Sequence, residues 1–581
     1  METKSEVLGS VARPAPKWVA WFPPAQWLRE YRPEFLGRDI VAGVTLAAYA
    51  IPVSLAYATL AGLPPQVGVY GYLLGGLGYA LFGSSRQLAI GPTSAISLMI
   101  AGTVAEMAGG DAVRYGQIAS LAGFTVGLLC LLAWALRLSA LVKLISDSIL
   151  VGFKAGAGLT IMMTQLPSLF GVAGGGHNFF ERVVLLAGQL GQVKFIVLAI
   201  GVIAIALLLL GERWLPGKPV ALGVVALSIF AASVLGLSAL GVVTTGYIPA
   251  GLPSFAAPAL RLRDVEGIVP LAAGCLLLGY IEGVSAARTF AEKHGYPLNP
   301  GQELLGLGAA NFAAAFGHGY PVAGGLSQTA VNDRAGARTP LALVFASITL
   351  ALCLLFLTGL LDDLPKAVLA AVVLTAVYRL VDVPALLHMW RVSRLDFYAA
   401  AIALVAVLLL GILQGILLAA AASILLLLMR ASQPHVAFLG RLPGTAVYSD
   451  MERNPANEAL PGIIAFRPEA SVTYINADVV LAALLRRLEA AAPGIRLVVC
   501  DLSASPYLDL TGSRTLHELH KQLVARGIDL RIVGARGRVR DLLRADGLGE
   551  KIGRFDRVTT LDAVISEAIG SGGQTAGDVS S

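Results

Sequence analysis

The chain has 581 residues, of which 56% are hydrophobic and only 14% are charged, and its mean hydropathy is +0.74. This composition excludes a soluble globular protein and predicts a polytopic membrane protein. The net charge of +6 does not indicate nucleic-acid binding, because the basic residues are scattered between apolar spans. The four cysteines are far apart in the sequence, so neither a disulfide framework nor a zinc cluster is expected.

The N-terminal segment, residues 1–38, is polar and basic and has neither the apolar core nor the cleavage site of a signal peptide. It is predicted to stay in the cytoplasm. Residues 39–430 contain about fourteen apolar spans, some too short to cross a ~30 Å hydrocarbon core, so broken or re-entrant helices are expected. The Lys and Arg bias of the loops supports a cytoplasmic N-terminus, and an even number of spans then puts the C-terminus inside as well. The predicted location is the cytoplasmic (inner) membrane.

Two Gly-rich breaks interrupt these spans, at Gly91-Pro92-Thr93-Ser94-Ala95 and at Gly324-Gly325-Leu326-Ser327-Gln328-Thr329. A helix that begins at mid-bilayer exposes unpaired N–H groups, which only protein, water or a ligand can satisfy. Two facing helix N-termini would form an anion site, since each carries about half a positive charge. The alternative is that these glycines merely allow close helix packing.

A weak internal repeat places the two breaks in equivalent positions. The sequence of residues 49–56 in span 1 is similar to that of residues 279–286 in span 8. Span 3 corresponds to span 10 in the same way. Seven spans separate the copies, so we predict two inverted halves of seven spans each.

After residue 430 the composition becomes polar, and residues 431–461 are interpreted as a linker. Residues 462–569 alternate predicted strands (462–466, 497–502, 530–533) with predicted helices (477–492, 513–525, 539–546), which is typical of a small α/β domain. The Gly/Ser-rich tail, residues 570–581, is predicted to be disordered.

The chain resembles the SulP family of anion transporters, to which prestin is related. The matching text includes Asp39-Ile40-Val41-Ala42-Gly43, Gly62-Leu63-Pro64-Pro65, Gly83-Ser84-Ser85-Arg86 and the residues around both breaks. The C-terminal part resembles a STAS domain, with Asp501-Leu502-Ser503 ending a strand and Leu508-Asp509-Leu510-Thr511-Gly512 opening a helix. The resemblance implies a core bundle (spans 1–4 and 8–11) that moves past a gate bundle in an elevator-like motion. It also implies a homodimer to which the cytoplasmic domain contributes.

The resemblance further implies that the anion lies between the N-termini of spans 3 and 10 and against an unwound middle of span 1. The residues carried over as substrate-binding are Val53, Tyr57, Thr93, Ser94, Ala95, Gly325, Leu326, Ser327 and Gln328. Many family members have Gln at the position of Val53 and Arg or Lys at the position of Gln328. This chain has therefore lost a fixed positive charge at its site.

Glu282 is predicted to lie deep inside span 8, where an unpaired charge costs at least ~2.5 kcal/mol. In the family an acid at this place supports cation coupling. A sodium site needs several oxygens, yet Ala286 follows one turn later, so protons are favoured over sodium. The alternative is a neutral Glu that is hydrogen-bonded and mechanistically silent.

Three further residues or pairs draw attention. Lys154 in span 5 either pairs with an acid or extends to the cytoplasmic interface, and the second is favoured. His517 and His520 share a helix face but make weak evidence for a metal site, and no metal or other cofactor is expected. Thr511 is a regulatory candidate, because related STAS domains are phosphorylated at this place; the alternative is a helix-capping role.

Three functions remain: a proton-coupled anion importer, an anion exchanger or channel, and a membrane-tethered scaffold. The importer is favoured because a channel has no need of a buried ionisable group. Sulfate is the first choice of substrate, with sodium-coupled transport of bicarbonate or C4-dicarboxylates as an alternative. No enzyme is expected, since the sequence shows no nucleophile with a base, phosphate-binding loop or metal triad.

Overall fold

The structure, a computed structural model, describes residues 27–28, 31–139, 146–176, 178–215, 219–237, 239–491, 494–552 and 556–574. Contacts divide the chain into two compact units, residues 1–423 and 424–581. Most of the predicted N-terminal segment lies outside the described residues.

The first half of the membrane unit is a run of helices broken by one short strand. Its elements are α1 (Pro33–Leu60), α2 (Pro65–Phe82), β1 (Ile90–Gly91), α3 (Ser94–Ala108), α4 (Ala112–Ala135), α5 (Asp147–Phe170), α6 (Phe179–Gln189), α7 (Phe195–Trp214) and α8 (Val220–Leu235).

The second half has the same order of elements. It consists of α9 (Val265–His294), α10 (Pro300–Phe316), β2 (Ala323–Gly324), α11 (Leu326–Arg334), α12 (Leu341–Phe356), α13 (Lys366–Val377), α14 (Val383–Val392), α15 (Arg394–Leu410) and α16 (Ile412–Ser432). The equivalent strands β1 and β2 pair antiparallel, as two halves with inverted topology require. The predicted inverted repeat is thus confirmed.

Six of the described helices (α1, α4, α5, α7, α9 and α16) are long and apolar enough to cross a membrane. Four shorter apolar helices, α3, α8, α12 and α13, fit the prediction of broken or short spans. The most hydrophobic part of α7 is only 22% buried, whereas those of α1 and α9 are 61% buried. Helices α1 and α9 therefore lie inside the bundle, and α7 presents its surface to lipid.

The helices form the predicted core and gate bundles. In the core, α1 packs on α2 and α12, and α10 packs on α2 and α4. In the gate, α5 packs on α13 and α15, and α7 packs on α8 and α13. Helix α3, whose N-terminus lies at the first break, touches both α4 and the gate helix α5.

Two details of the first span differ from expectation. Helix α1 begins at Pro33, inside the segment predicted to precede the membrane domain, because a proline is well placed at a helix start. The helix is also continuous through Pro52, where the family resemblance implied unwinding. Proline removes one backbone donor but need not break a membrane helix whose neighbours satisfy the freed group.

The second unit is a five-stranded sheet with helices. Its elements are β3 (Val436–Arg441), β4 (Tyr448–Asp450), β5 (Ile463–Pro468), α17 (Ala477–Ala490), β6 (Leu497–Asp501), α18 (Leu510–Val524), β7 (Asp529–Val533), α19 (Gly537–Ala545), α20 (Leu548–Lys551) and α21 (Leu561–Gln574). The strand order is β4-β3-β5-β6-β7, with β5, β6 and β7 parallel.

Two boundaries of this unit need correction. The predicted linker, residues 431–461, contains β3 and β4, which pair antiparallel at the edge of the sheet. Pro, Gly and charged residues in and between these short strands interrupt the apolar pattern, so the sequence did not predict them. The tail predicted to be disordered from residue 570 is helical in its first residues, because the backbone of α21 is helical to Gln574; residues 575–581 lie outside the described part.

Candidate anion-binding site

The two Gly-rich breaks meet in a two-stranded antiparallel ribbon at the centre of the core bundle. Ile90 pairs with Gly324, and Gly91 pairs with Ala323. Each strand leads directly into a half-helix, α3 at Ser94 and α11 at Leu326. The ribbon therefore brings two helix N-termini to one place.

Close approach explains the glycine at the first strand. A Cβ atom on Gly91 would lie 2.3 Å from ring atoms of Tyr72 on α2. The Tyr72 side chain extends past the ribbon, and its hydroxyl donates a hydrogen bond of 2.7 Å to Oε1 of Gln328. The same ring thus fixes the position of β1 and of the first turn of α11.

Side chains of α11 also hold the chain around β1. Nε2 of Gln328 donates to the carbonyl oxygens of Ala89 (2.9 Å) and Ala323 (3.1 Å), so it connects the two breaks directly. The Thr329 hydroxyl accepts a bond of 3.2 Å from the Ala89 N–H group, and Nδ2 of Asn332 donates to the Gln87 carbonyl at 2.9 Å. These buried bonds make the ribbon rigid.

Neither half-helix is capped by its own side chains. The N-cap residues are Thr93 and Gly325, and neither forms a side-chain cap bond. The first backbone bond of α3 runs from Ser97 N to Thr93 O, and that of α11 runs from Thr329 N to Gly325 O. The three N–H groups that precede each of these bonds have no partner within their helix, which leaves two sets of donors for an anion.

Hydroxyl groups surround the start of α3. The Thr93 hydroxyl is buried and has no hydrogen-bond partner among the described residues. The Tyr57 hydroxyl of α1 lies near Ser94, and Val53 lies one turn earlier on the same helix. Val53, Tyr57, Ser94 and Ala95 are all buried. The structure therefore brings these predicted residues together, with an unsatisfied hydroxyl among them.

The start of α11 is different. Leu326 is 58% exposed, and Ser327 is exposed as well, so this end faces open space. Gln328 was predicted to bind substrate, yet it is only 4% exposed, and its side-chain hydrogen bonds among the described residues go to Tyr72, Ala89 and Ala323. Its amide points into the protein, where its hydrogen bonds connect the two breaks.

Helix α9 passes close to the ribbon and carries Glu282 beside it. A Cβ atom on Gly279 would lie 2.9 Å from the Cβ of Ala323, and one on Gly283 would lie 3.7 Å from the Gly324 N–H nitrogen. Glu282 precedes Gly283 and is half-buried, with no hydrogen bond or salt bridge among the described residues.

Sequence reasoning missed other buried acids of the core bundle. Glu303, in the first turn of α10, accepts hydrogen bonds from the Tyr79 hydroxyl (2.8 Å) and the Ser84 hydroxyl (2.6 Å). Asp39 accepts a bond of 2.7 Å from the Thr339 hydroxyl and another of 2.7 Å from the Arg338 N–H group. Both carboxyl groups are satisfied and tie loops to helices, unlike Glu282.

Behind the ribbon lies a cavity of about 10 Å³, lined by Gly279, Gly283, Gly324 and Glu303 among others. Such a volume holds about one water molecule. It is too small for a tetrahedral oxyanion, so this side of the ribbon does not hold one in this structure.

In the second unit, the cap of α18 is Asp509, which accepts from the Gly512 N–H group at 2.8 Å. Thr511 is exposed in the first turn, so a capping role does not occupy its hydroxyl. His517 hydrogen-bonds to the Asp546 carbonyl at 3.0 Å. The cluster of potential metal ligands found in the described residues is His435, Asp450 and Glu452, which includes neither His517 nor His520.

An inverted-repeat membrane protein in which two half-helices point their N-termini at a shared central position has the architecture of an anion transporter. The sequence profile of the sulfate permease family matches residues 36–425, and that of the STAS domain matches residues 454–563. The chain belongs to the sulfate permease family. This is a family of transporters rather than enzymes, and the protein is an anion transporter.

Relatives match over nearly the full length. A probable sulfate transporter of Mycobacterium tuberculosis (strain CDC 1551 / Oshkosh) is 36% identical over 547 residues, which cover 94% of this chain and 98% of that protein. Low affinity sulfate transporter 3 of Stylosanthes hamata is 30% identical, covering 95% of this chain and 90% of that protein.

Solved structures confirm the fold. The murine Solute Carrier 26 family member A9 anion transporter, in the inward-facing state, has a TM-score of 0.87 at 20% identity and covers 97% of both chains. The transmembrane domain of the cyanobacterium bicarbonate transporter BicA has a TM-score of 0.58 at 21% identity, covering 68% of this chain and 98% of that domain.

Proposed function

We propose that the protein imports sulfate across the cytoplasmic membrane together with protons. The observation that carries this proposal is the pair of uncapped helix N-termini at the β1–β2 ribbon, next to a buried Thr93 hydroxyl without a partner. A buried polar atom without a hydrogen bond costs about 1–3 kcal/mol, and a bound oxyanion would remove that cost.

The chemistry of the site fits a small oxyanion with several acceptor oxygens. Backbone N–H groups of α3 and α11, the Thr93 hydroxyl and the exposed Ser327 hydroxyl are all neutral donors. Two half-helix dipoles provide the positive potential that Gln328 does not supply. Neutral donors favour release as well as binding, which a transporter needs. The names of the two sequence relatives support sulfate over bicarbonate or a C4-dicarboxylate.

Glu282 is proposed as the coupling group. It lies beside the ribbon, and it differs from Asp39 and Glu303 in having no hydrogen-bond partner among the described residues. A carboxyl group without fixed partners can gain and lose a proton as its surroundings change. Ala286, one helical turn after Glu282, offers no side-chain oxygen to a sodium ion, which supports protons over sodium.

The transport movement is proposed to be an elevator-type shift of the core bundle against the gate bundle. The hydrogen bonds of Tyr72, Gln328 and Asn332 fasten the ribbon within the core, so the site would move as one rigid body. Cytoplasmic placement of both termini, the domain boundaries near residue 430 and a homodimer are part of the same proposal.

The test is uptake of labelled sulfate into proteoliposomes. Uptake should rise with an inward proton gradient, and it should fall sharply in Glu282→Gln and in Ser327→Ala. Glu266→Gln is a matched control, since Glu266 is an exposed acid on the same helix and should leave uptake unchanged.

Three outcomes would contradict the proposal. Gradient-driven uptake that persists in Glu282→Gln would exclude proton coupling by that residue. Uptake that depends on sodium at constant pH, or sulfate flux with no response to either gradient, would favour the sodium-coupled transporter or the exchanger and channel alternatives. A panel of sulfate, bicarbonate and succinate, with sodium and pH varied independently, identifies the substrate.

A further inference from the structure

The short helix α14 connects two gate spans, α13 and α15, and cannot cross the membrane itself. Its ten residues, Val383–Val392, extend about 15 Å at 1.5 Å per residue, which is half of a ~30 Å hydrocarbon core. It packs on the gate helices α5 and α15, yet none of its residues is buried. In the predicted topology α14 follows the twelfth span, so it lies at the cytoplasmic surface of the gate bundle.

The exposed side of α14 has an apolar stripe next to a basic one. Val383, Leu387 and Trp390 recur at intervals of four and three residues, so they line one face, and they are 51%, 53% and 42% exposed. His388 and Arg391 are exposed as well and line a face about 100° away. This pattern is typical of a helix that lies in the plane of a membrane interface, with its apolar stripe towards the acyl chains.

The end of α14 and the start of α15 form a cluster of aromatic and basic side chains. The centroid of the Trp390 ring lies 4.9 Å from that of Phe397 and 6.3 Å from that of Tyr398, both in edge-to-face geometry. The Arg394 guanidinium lies over the Trp390 ring, 5.3 Å from its centroid. Trp and Tyr are enriched at the level of the lipid headgroups. We call Trp390, Arg391, Arg394 and Tyr398 the α14 corner.

The two arginines of the α14 corner lack a carboxylate partner in the part of the chain that the structure describes. Arg391 and Arg394 are exposed, and neither forms a salt bridge there. Of the two acids nearby in sequence, Asp382 caps α14 by accepting from the Ala385 N–H group at 2.9 Å. The other, Asp396, is half-buried in the first turn of α15. The corner therefore presents a positive charge to its surroundings.

The inverted repeat provides an internal comparison. Helix α6 holds the equivalent place in the first half, and inverted topology puts it at the opposite surface of the membrane. It carries one acid and one base, Glu181 and Arg182, and Nε of Arg182 donates to the Gly176 carbonyl at 3.1 Å. The ionisable residues of α14 are both basic, His388 and Arg391. The two surfaces differ in charge, which fits the negative potential of the cytoplasmic leaflet.

We propose that the α14 corner binds the headgroup of an anionic phospholipid in the cytoplasmic leaflet. A guanidinium group binds phosphate oxygens through two parallel N–H bonds, and the N-terminus of α15 adds its partial positive charge. Arg394 is the first residue of α15, where a cation is unfavourable unless an anion lies beside it. The acyl chains lie along the stripe of Val383, Leu387 and Trp390. The bound lipid holds the gate bundle at the membrane surface.

Lipid binding is independent of the transported ion. It is measured without sulfate and without a proton gradient, so it stands or falls apart from the proposed import. Only the choice of leaflet rests on the proposed cytoplasmic placement of the termini.

The experiment is native mass spectrometry of the full chain released from nanodiscs with equal amounts of phosphatidylglycerol and phosphatidylcholine. The wild type should retain phosphatidylglycerol in preference. An arginine near an anionic surface contributes about a fivefold preference, so Arg391→Gln should lower the preference about fivefold and Arg391→Gln/Arg394→Gln about 25-fold. Arg391→Lys/Arg394→Lys should retain most of it, because both charges remain.

Tryptophan fluorescence gives a second readout that does not depend on the arginine variants. Brominated phosphatidylglycerol should quench the wild type more than brominated phosphatidylcholine does, and Trp390→Phe should remove that difference. Arg288→Gln removes an exposed arginine of the core helix α9 and is the control for diffuse attraction. It should leave the lipid preference unchanged.

Several results would overturn the proposal. Equal retention of both lipids by the wild type would exclude headgroup recognition, as would an unchanged preference in the double glutamine variant. An equal loss in Arg288→Gln would show diffuse attraction, and a quenching difference that persists in Trp390→Phe would place the lipid elsewhere. Free glycerol phosphate should not compete, because it lacks acyl chains; competition would show a site for a soluble anion instead.

Discussion

Replacing Thr93 with valine should change stability and ligand affinity in opposite directions. The Thr93 hydroxyl is buried and has no partner among the described residues, so the ligand-free fold loses no hydrogen bond in Thr93→Val. Removing an unsatisfied buried polar atom should stabilise the ligand-free protein by about 1–3 kcal/mol. A hydrogen bond to a charged acceptor is worth about 1.5–3 kcal/mol, so sulfate binding should weaken about 10- to 150-fold.

The assay is thermal unfolding of the purified protein in detergent, with and without sulfate, together with a radioligand Kd. Thr93→Val should have a higher Tm without sulfate and a smaller Tm shift with it. Thr329→Val is the matched control, because the Thr329 hydroxyl bonds to the Ala89 N–H group and the Gly325 carbonyl and its loss should lower Tm. A lower Tm with an unchanged Kd in Thr93→Val would refute the reasoning.

Three further changes test the ribbon and the C-terminal unit. Gly91→Ala should lower Tm and uptake, because its Cβ would lie 2.3 Å from the Tyr72 ring and overpacking costs about 1–3 kcal/mol. Gln328→Leu should lower Tm but change the sulfate Kd less than Thr93→Val does, since the amide bonds only to protein groups in the described residues. Burial alone would raise the pKa of Asp450, but its hydrogen bonds from His435 and a backbone N–H group hold that pKa below its usual value. Asp450→Asn should therefore lower Tm above about pH 4, and the difference should disappear as the pH falls further, where the wild type protonates too.

Each of these has an outcome that would contradict it. Gly102→Ala is the control for Gly91→Ala, since nothing lies within 4 Å of a Cβ at Gly102; equal effects of the two would exclude the steric explanation. A sulfate Kd that rises as much in Gln328→Leu as in Thr93→Val would make Gln328 a direct ligand. A Tm difference in Asp450→Asn that does not vary with pH would exclude the charged hydrogen bond.

The sequence predicted the inverted repeat and the two breaks because glycines and prolines that interrupt apolar spans are visible in the sequence itself. It did not predict the side-chain direction of Gln328, since that depends on Tyr72, 256 residues away in the chain. Glu303 was missed although it follows Asn299 and Pro300, a typical helix start that favours an acid in the first turn. Its burial comes from the loop that contains Ser84, which no local pattern shows.

Boundaries were harder to predict than elements. Strands β3 and β4 are short and lie at a sheet edge, so their residues lack the continuous apolar run that identified β5 and β6. Lys154 was assigned to the membrane interface because a single lysine in an apolar span usually extends outward.

The most direct test of the central claim is an experimental structure of the protein with selenate, a heavier analogue of sulfate. The account predicts selenate density on the open face of the ribbon, within hydrogen-bonding distance of the Thr93 hydroxyl and of N–H groups at the starts of α3 and α11. Density elsewhere, or an empty ribbon at a concentration that saturates transport, would contradict it.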